Sequence, residues 1–232
     1  MSTSGTNTFN PSNGQLILSA YARIQVRKAS IKQEHMYDAQ QEMNYLLVEL
    51  GNLQPNLWKV QQGSIGLSDA TPTYNIPNNT VMILDAWITQ NSGTAQQTDR
   101  YISPMSRTEY SSLANKNTPG QPSQYWFSRL VVPTITMYPV PDSSGPFVLN
   151  YFSCLRMQDA NLAGGETMDI QYLFIDCVVA GLSHRLARIY KPELEAQREK
   201  DYDKAWKLAA AQNTENVGLS ISPTLKTYYP RR

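Results

Sequence analysis

Cysteine and histidine are scarce in this chain, with two of each among 232 residues. A zinc site takes three or four protein ligands, and neither His35 nor His184 has a Cys, Asp or second His at ligand spacing on its own helical face. Glu34 is only the chain neighbour of His35. No metal site and no cofactor are therefore expected, and Cys154 and Cys177 read as free buried thiols. Charge is equally thin: 17% of residues are charged and the net charge is +1. Residues 1–60 carry five basic and four acidic groups, and residues 61–158 carry five of each. No basic face emerges, which argues against a dedicated nucleic-acid binder. No run approaches the ~20 apolar residues of a membrane span. Met1 to Gly14 has no apolar stretch for a secretory signal, so assembly in the cytosol is expected. Nucleophile and phosphate motifs are lacking too: no serine sits in a G-x-S-x-G turn, and Ala163-Gly164-Gly165-Glu166 has neither the lysine nor the preceding strand of a phosphate loop.

Other residues are plentiful. The chain is 41% hydrophobic, enough for a substantial core, and holds 14 Tyr, 4 Trp and 8 Met. Surfaces poor in charge and rich in these residues are common where protein meets protein.

The order of the segments is readable from punctuation and periodicity. Residues 1–13, built from Ser, Thr, Asn and Gly, read as a flexible leader. Gln15 to Lys28 places Ile17, Tyr21 and Ile24 at helical spacing. A second helix follows Ser30 as N-cap, with Met36, Ala39, Met43, Leu46, Leu47 and Leu50 in one apolar stripe and Gly51 as its C′ residue. Prolines then recur from Pro72 to Pro146 and exclude long helices. The predicted strands are Thr73–Ile76, Val81–Thr89, Tyr125–Leu130, Val131–Tyr138 and Phe147–Leu155, the last two joined as a hairpin across Ser143–Pro146, with a tight turn at Asn78-Asn79. Helix returns at Met168, where Ile170, Leu173, Phe174, Cys177, Gly181, Leu182 and Ile189 share a face. Pro192 opens a final helix to about Gln212, whose Asp201–Lys204 and Asp203–Lys207 pairs mark an exposed side. His184 reads as part of a solvated flank.

The expected fold class is α+β: a bundle of about four helices (residues 14–60 and 159–212), an inserted antiparallel β domain (61–158) and an extended C-terminal arm (213–232). The arm has apolar anchors but nothing within itself to bury them against. It would order by lying along another subunit.

Three runs stand out between residues 104 and 141: Ser106-Arg-Thr-Glu-Tyr110, Lys116-Asn-Thr-Pro-Gly-Gln-Pro122 and Tyr138-Pro-Val-Pro141. In this order they resemble the head-to-tail adaptor proteins of short-tailed bacteriophages (podoviruses), and the flanking helical segments extend the resemblance over residues 14–212. Ala160 to Thr167 departs from the pattern, lacking the Pro and Trp of similar proteins. The resemblance implies a non-enzymatic virion protein at the head-tail junction, assembled in the host cytoplasm. It would form a homo-oligomeric ring of twelve copies that docks on the portal protein and contacts tail, nozzle or tail-fibre proteins. Packaged DNA would pass through the ring without specific recognition. In the arm, Leu219, Ile221, Pro223, Leu225, Tyr228 and Tyr229 would anchor on the portal, with Lys226, Arg231 and Arg232 supplying charge. Trp87, Tyr110, Tyr125 and Trp126 are candidate contacts of the β domain.

Two rivals come from other classes. A tail-associated cell-wall hydrolase needs two carboxylates ~5 to 9 Å apart and leaves no sequence motif; Glu109 and Asp142 are the candidates. Another neck or tail-tube ring component is the second. Tyr125, Trp126 and Phe127 could also stack nucleobases, although alternation assigns at least one face of that run to a core.

Overall fold

The computed structural model describes residues 3–53, 57–162 and 165–214. Among them are helices α1 (Asn13–Arg23) and α2 (Gln33–Leu53), then strands β1 (Val60–Leu67), β2 (Thr73–Asn75), β3 (Thr80–Gln90), β4 (Thr98–Tyr101) and β5 (Ser103–Pro104). The short helix α3 (Arg107–Ser112) precedes β6 (Gln124–Ser128), β7 (Thr134–Tyr138) and β8 (Phe147–Leu155), and helices α4 (Ile175–Tyr190) and α5 (Glu195–Gln212) close the series. The α+β class follows from this order, with helices at both ends of a run of strands.

Ordered helix begins at Asn13, with its cap one residue earlier. Ser12 caps α1 in a reciprocal capping box with Gln15, and Asn13 is buried, its backbone N–H donating to Glu166 O at 2.9 Å. Helix α1 stops at Arg23 instead of reaching Lys28, because Gln25 takes the left-handed conformation at φ 61°, which a right-handed helix cannot contain. Helix α2 starts at Gln33, three residues after the expected cap. Lys32 is its N-cap, and His35 accepts the Lys32 backbone N–H through Nδ1 at 3.3 Å, the return half of a capping box. Ser30 instead closes a short turn on the Arg27 carbonyl. Gly51 lies within α2, which continues to Leu53.

Helix α4 begins at Ile175, after a 3-10 turn at Tyr172–Phe174, and not at Met168. Asp169 is occupied elsewhere, accepting from Lys59 Nζ at 2.5 Å and from the Gln158 backbone at 3.0 Å. Helix α4 is the centre of the first hydrophobic cluster, packed by α1, α2 and α5. Gly181 permits that packing, since a Cβ there would lie 2.8 Å from Leu46 Cδ1. Ile189, expected on the buried face, is 50% exposed. His184 is no solvated flank: its side chain is only 13% exposed, 3.9 Å from Glu195, and its ring stacks on Tyr202. On α5, Asp201 pairs with Arg198 at 3.0 Å rather than with Lys204.

The second cluster lies between two four-stranded sheets, ordered β1-β8-β3-β4 and β2-β7-β6-β5. Ile88, Leu149 and Tyr151 of the first meet Tyr125, Ile135 and Met137 of the second. The expected β7–β8 hairpin does not form. Strand β7 pairs with β2 and β6, while β8 pairs with β1 and β3, so residues 139–146 carry the chain from one sheet to the other. Strand β7 starts at Thr134, leaving Val131 94% exposed, and β6 ends at Ser128. The turn at Asn78-Asn79 is present, closed by Thr80 N–H on Pro77 O at 2.9 Å. Strands β1, β4 and β5 were not expected. Polar, Gly-containing β1 follows neither strict alternation nor an apolar run; it pairs because Tyr151 of β8 lies across Gly63, where a Cβ would be 2.5 Å from the ring.

The strands are joined to the helical cluster through polar and aromatic contacts. Asn44 on α2 accepts the Ala160 backbone N–H at 2.7 Å, Lys59 pairs with Asp169, and Trp58 packs on Phe174 with ring centroids 4.7 Å apart. These fix the strand pair β1 and β8 to the end of the bundle where α2 and α5 finish.

Candidate functional site

The three runs singled out in the sequence converge on one unit at the edge of the β2-β7-β6-β5 sheet. Ser106 and Glu109 form a capping box that starts α3, which presents Tyr110 to Trp126; the rings stack with centroids 5.1 Å apart. Lys116 closes the stack, its Nζ 5.7 Å from the Tyr110 ring centroid, a cation–π distance. That ammonium also donates to the carbonyls of Ser111 at 3.1 Å and Leu113 at 3.2 Å. Gly120 N–H donates to Val140 O, and Val140 N–H to Thr118 O, both at 2.9 Å. Gly120 packs flat on Pro139, where a Cβ would be 3.4 Å from the ring. The serine, glutamate, lysine, glycine and proline of the three runs thus hold one rigid corner with an aromatic and cationic outer surface.

The four aromatic candidates do not share a surface. Trp126 and Tyr110 lie on the outer side of one sheet. Trp87 alternates with buried Ala86 and Ile88 and lies on the outer side of the other, tilted against Phe152 at 5.5 Å and registered with Tyr101 of β4. Tyr125 is withdrawn from the contact set: it is 2% exposed in the sandwich core, and burial pushes its phenol up to about 12. Phe127 packs on the same core. The Tyr125–Phe127 run therefore cannot offer consecutive bases a stacking platform. Tyr101 and Phe152 belong to the Trp87 patch but escaped sequence reasoning, because β4 is a short polar strand that was not expected and the pairing of β8 with β3 brings Phe152 beside Trp87 only in the folded sheet.

Glu109 and Asp142 are committed to local structure. The Glu109 carboxylate accepts the Ser106 backbone N–H at 2.5 Å, a bond that, with the Ser106 hydroxyl contact, holds it below the usual carboxylate range. The Ser144 hydroxyl and backbone N–H do the same for Asp142 at 2.5 and 3.0 Å. A general acid needs the opposite shift. Both cysteines are buried and free, and burial pushes the Cys177 thiol up to about 12. Among the described residues no group of three or more His, Cys, Asp or Glu could hold a metal ion, and no helix is long and apolar enough to cross a membrane.

Two further surfaces emerge. A cleft of about 270 Å³ opens where the clusters meet, between Leu47, Val48 and Gly51 of α2 and Val81, Cys154 and Met157. Beside it, the side of α2 turned away from the core carries Tyr37, Gln41, Tyr45, Val48 and Asn52. Tyr37, Tyr45 and Val48 are 58%, 51% and 57% exposed. Gln41 donates to the Tyr45 hydroxyl at 3.1 Å; Glu42 and Glu49 of α2 are drawn to Arg185, while Glu34 and Asp38 are exposed at the start of the helix. From Tyr37 to Val48 this face carries no charge, a pattern legible as i, i+4, i+8, i+11 spacing beside the stronger core stripe.

The expected portal-binding residues Leu219 to Arg232 lie outside the described residues. A family model described as SU10 adaptor protein matches residues 21–223, a span that contains all three motif runs. No curated protein matches the chain.

Proposed function

The chain belongs to the SU10 adaptor protein family of phage head-tail adaptors, and on that premise we propose that it forms the ring that docks on the portal and carries the tail. As a member it is a structural component of a phage particle whose partners are portal or tail proteins. The finer reading is a ring of twelve copies at the head-tail junction of a short-tailed phage, assembled in the host cytoplasm. Residues 14–60 and 159–212 act as its helical domain and 61–158 as an inserted domain.

The observation that carries this reading is the family match together with the corner it contains: residues from three separate runs converge on one rigid structure. The arm is the portal-binding element. Leu219, Ile221, Pro223, Leu225, Tyr228 and Tyr229 bury against the portal, and Lys226, Arg231 and Arg232 contribute charge at the rim, as strand addition to another chain requires. The β sandwich faces tail proteins or neighbouring subunits through Trp87 on one side and Tyr110 with Trp126 on the other. Packaged DNA passes through the ring without base recognition, consistent with the near-neutral charge balance. The hydrolase alternative loses its two candidate carboxylates to local structure, Glu109 to a helix cap and Asp142 to a turn.

The test is the mass of the purified protein by light scattering, alone and mixed with isolated portal rings. The expected result is a monomer that joins the portal at about twelve copies, and a chain ending at residue 214 that stays folded but no longer joins. A full-length protein that ignores the portal, or a truncated one that binds normally, overturns the reading.

A further inference from the structure

We propose that the loop joining β6 to β7, residues 129–133, is a knob between subunits: its apolar tip, Leu130, Val131 and Val132, seats in the cleft between α2 and β8 of the neighbouring copy. The inference rests on the ring reading and adds to it the contact that holds one copy to the next. Three observations carry it.

The first is the tip. Leu130, Val131 and Val132 are 66%, 94% and 49% exposed, three consecutive apolar residues in water, a pattern that folded chains avoid unless it serves a contact. The base of the loop is fixed. Ser128 and Thr134 close the strand pair beneath it, and buried Pro133 accepts the Ile76 backbone N–H at 3.0 Å. Nothing among the described residues covers Val131.

The second is the cleft. Leu47, Val48 and Gly51 form one wall, and Val81, Cys154 and Met157 the other. Its volume of about 270 Å³ is below the about 300–1,000 Å³ of sites that enclose a small molecule. The apolar lining is that of a pocket for an aliphatic anchor, which contacts between chains place at their centre. Cys154 follows Phe152 in the alternation of β8, on the side turned away from the second sheet. The cleft therefore continues the surface that carries Phe152 and Trp87. Its charged groups, Arg156 and Asp159, are exposed.

The third is placement. The loop belongs to the second sheet and the cleft opens on the outer side of the first, so tip and cleft are on opposite sides of the sandwich. One such contact leaves a free tip at one end of the pair and a free cleft at the other. The contact is thus heterologous and repeats until a ring closes. Arg129, exposed beside the tip, is opposite in charge to Asp159 of the cleft, and the two supply a polar rim around the apolar centre.

The experiment uses the full chain bound to isolated portal rings. Val131→Cys with Val48→Cys, both positions exposed and so compatible with folding, is treated with a short bismaleimide, and the links are mapped by mass spectrometry. The native Cys154 and Cys177 are buried. The expected result is a ladder of multimers linked from position 131 of one copy to position 48 of the next, absent with Val48→Cys alone. In parallel, Leu130→Asp with Val131→Asp should raise the protein concentration that half-fills the portal about tenfold or more. Links that join 131 to 131 or stay within one copy, no links in portal-bound protein, or filling unchanged by the double Asp substitution each overturn the contact and leave the ring reading standing. Wild-type protein that ignores the portal overturns the ring reading and this contact with it.

Discussion

Gly181, on the central helix α4, sets two opposing effects against each other in a single substitution. Gly181→Ala should favour the helix by about 1 kcal/mol of backbone propensity. The added Cβ, however, would lie 2.8 Å from Leu46 Cδ1 and 2.9 Å from Tyr202 Cε2, well inside van der Waals contact. Leu46 is fully buried and has little room to turn. Tyr202 is held by its hydroxyl on Glu49 at 3.1 Å and by its stack on His184. Overpacking of this kind costs about 1–3 kcal/mol, so the predicted balance is a net loss of about 1 kcal/mol, or about 2–4 °C in Tm for a chain of this size. Gly181→Val adds two more carbons without alanine's propensity gain and should lose about 3 kcal/mol. Urea unfolding followed by circular dichroism measures both. Combining Gly181→Ala with Leu46→Ala sharpens the test: the vacated space should relieve the clash, giving a coupling of about 1 kcal/mol. A Gly181→Ala protein more stable than wild type, with no coupling to Leu46, would refute close approach as the reason for the glycine.

Arg185→Met should destabilise by about 1–2 kcal/mol, because it strands the partly buried Glu42 and Glu49 while their exposure lets water offset part of the loss; chemical unfolding of the single and the Glu42→Gln double variant checks it. Tyr125→Ala should cost about 3–5 kcal/mol as a core aromatic deletion, whereas Trp126→Ala should cost about 1 kcal/mol, little more than its stack on Tyr110; equal losses would contradict the assignment of the two residues to opposite faces. Burial raises the Cys177 thiol from 9.0 to about 12 and the Tyr125 phenol from 10.0 to about 12. The folded chain therefore keeps protons that the unfolded chain releases, and stability present below about pH 9 should fall as pH rises towards 12. Calorimetry at pH 8, 9.5 and 10.5 reads this directly, and a Tm that rises across the series contradicts it.

The sequence by itself determined the class of the fold and the contents of its helical core. The stripe from Ala39 to Leu50 and the set Ile17, Tyr21 and Ile24 repeat at the helical period over enough turns that no other conformation buries them together. Proline spacing likewise excluded long helices between residues 61 and 158. The tertiary structure decided what depends on partners distant in the chain. Strand β1 pairs because Tyr151 needs the space at Gly63, α4 starts late because Asp169 is drawn to Lys59, and Tyr138–Phe147 changes sheet because each flanking strand already has two neighbours. The same limit governed the surfaces. Alternation separated Tyr125 from Trp126, but only the closed sandwich fixed which of the two was buried. The Ser106, Lys116 and Tyr138 runs were visible as a pattern in sequence, and folding alone brought them together, since hydrogen bonds such as Gly120 to Val140 join residues whose proximity no local rule encodes.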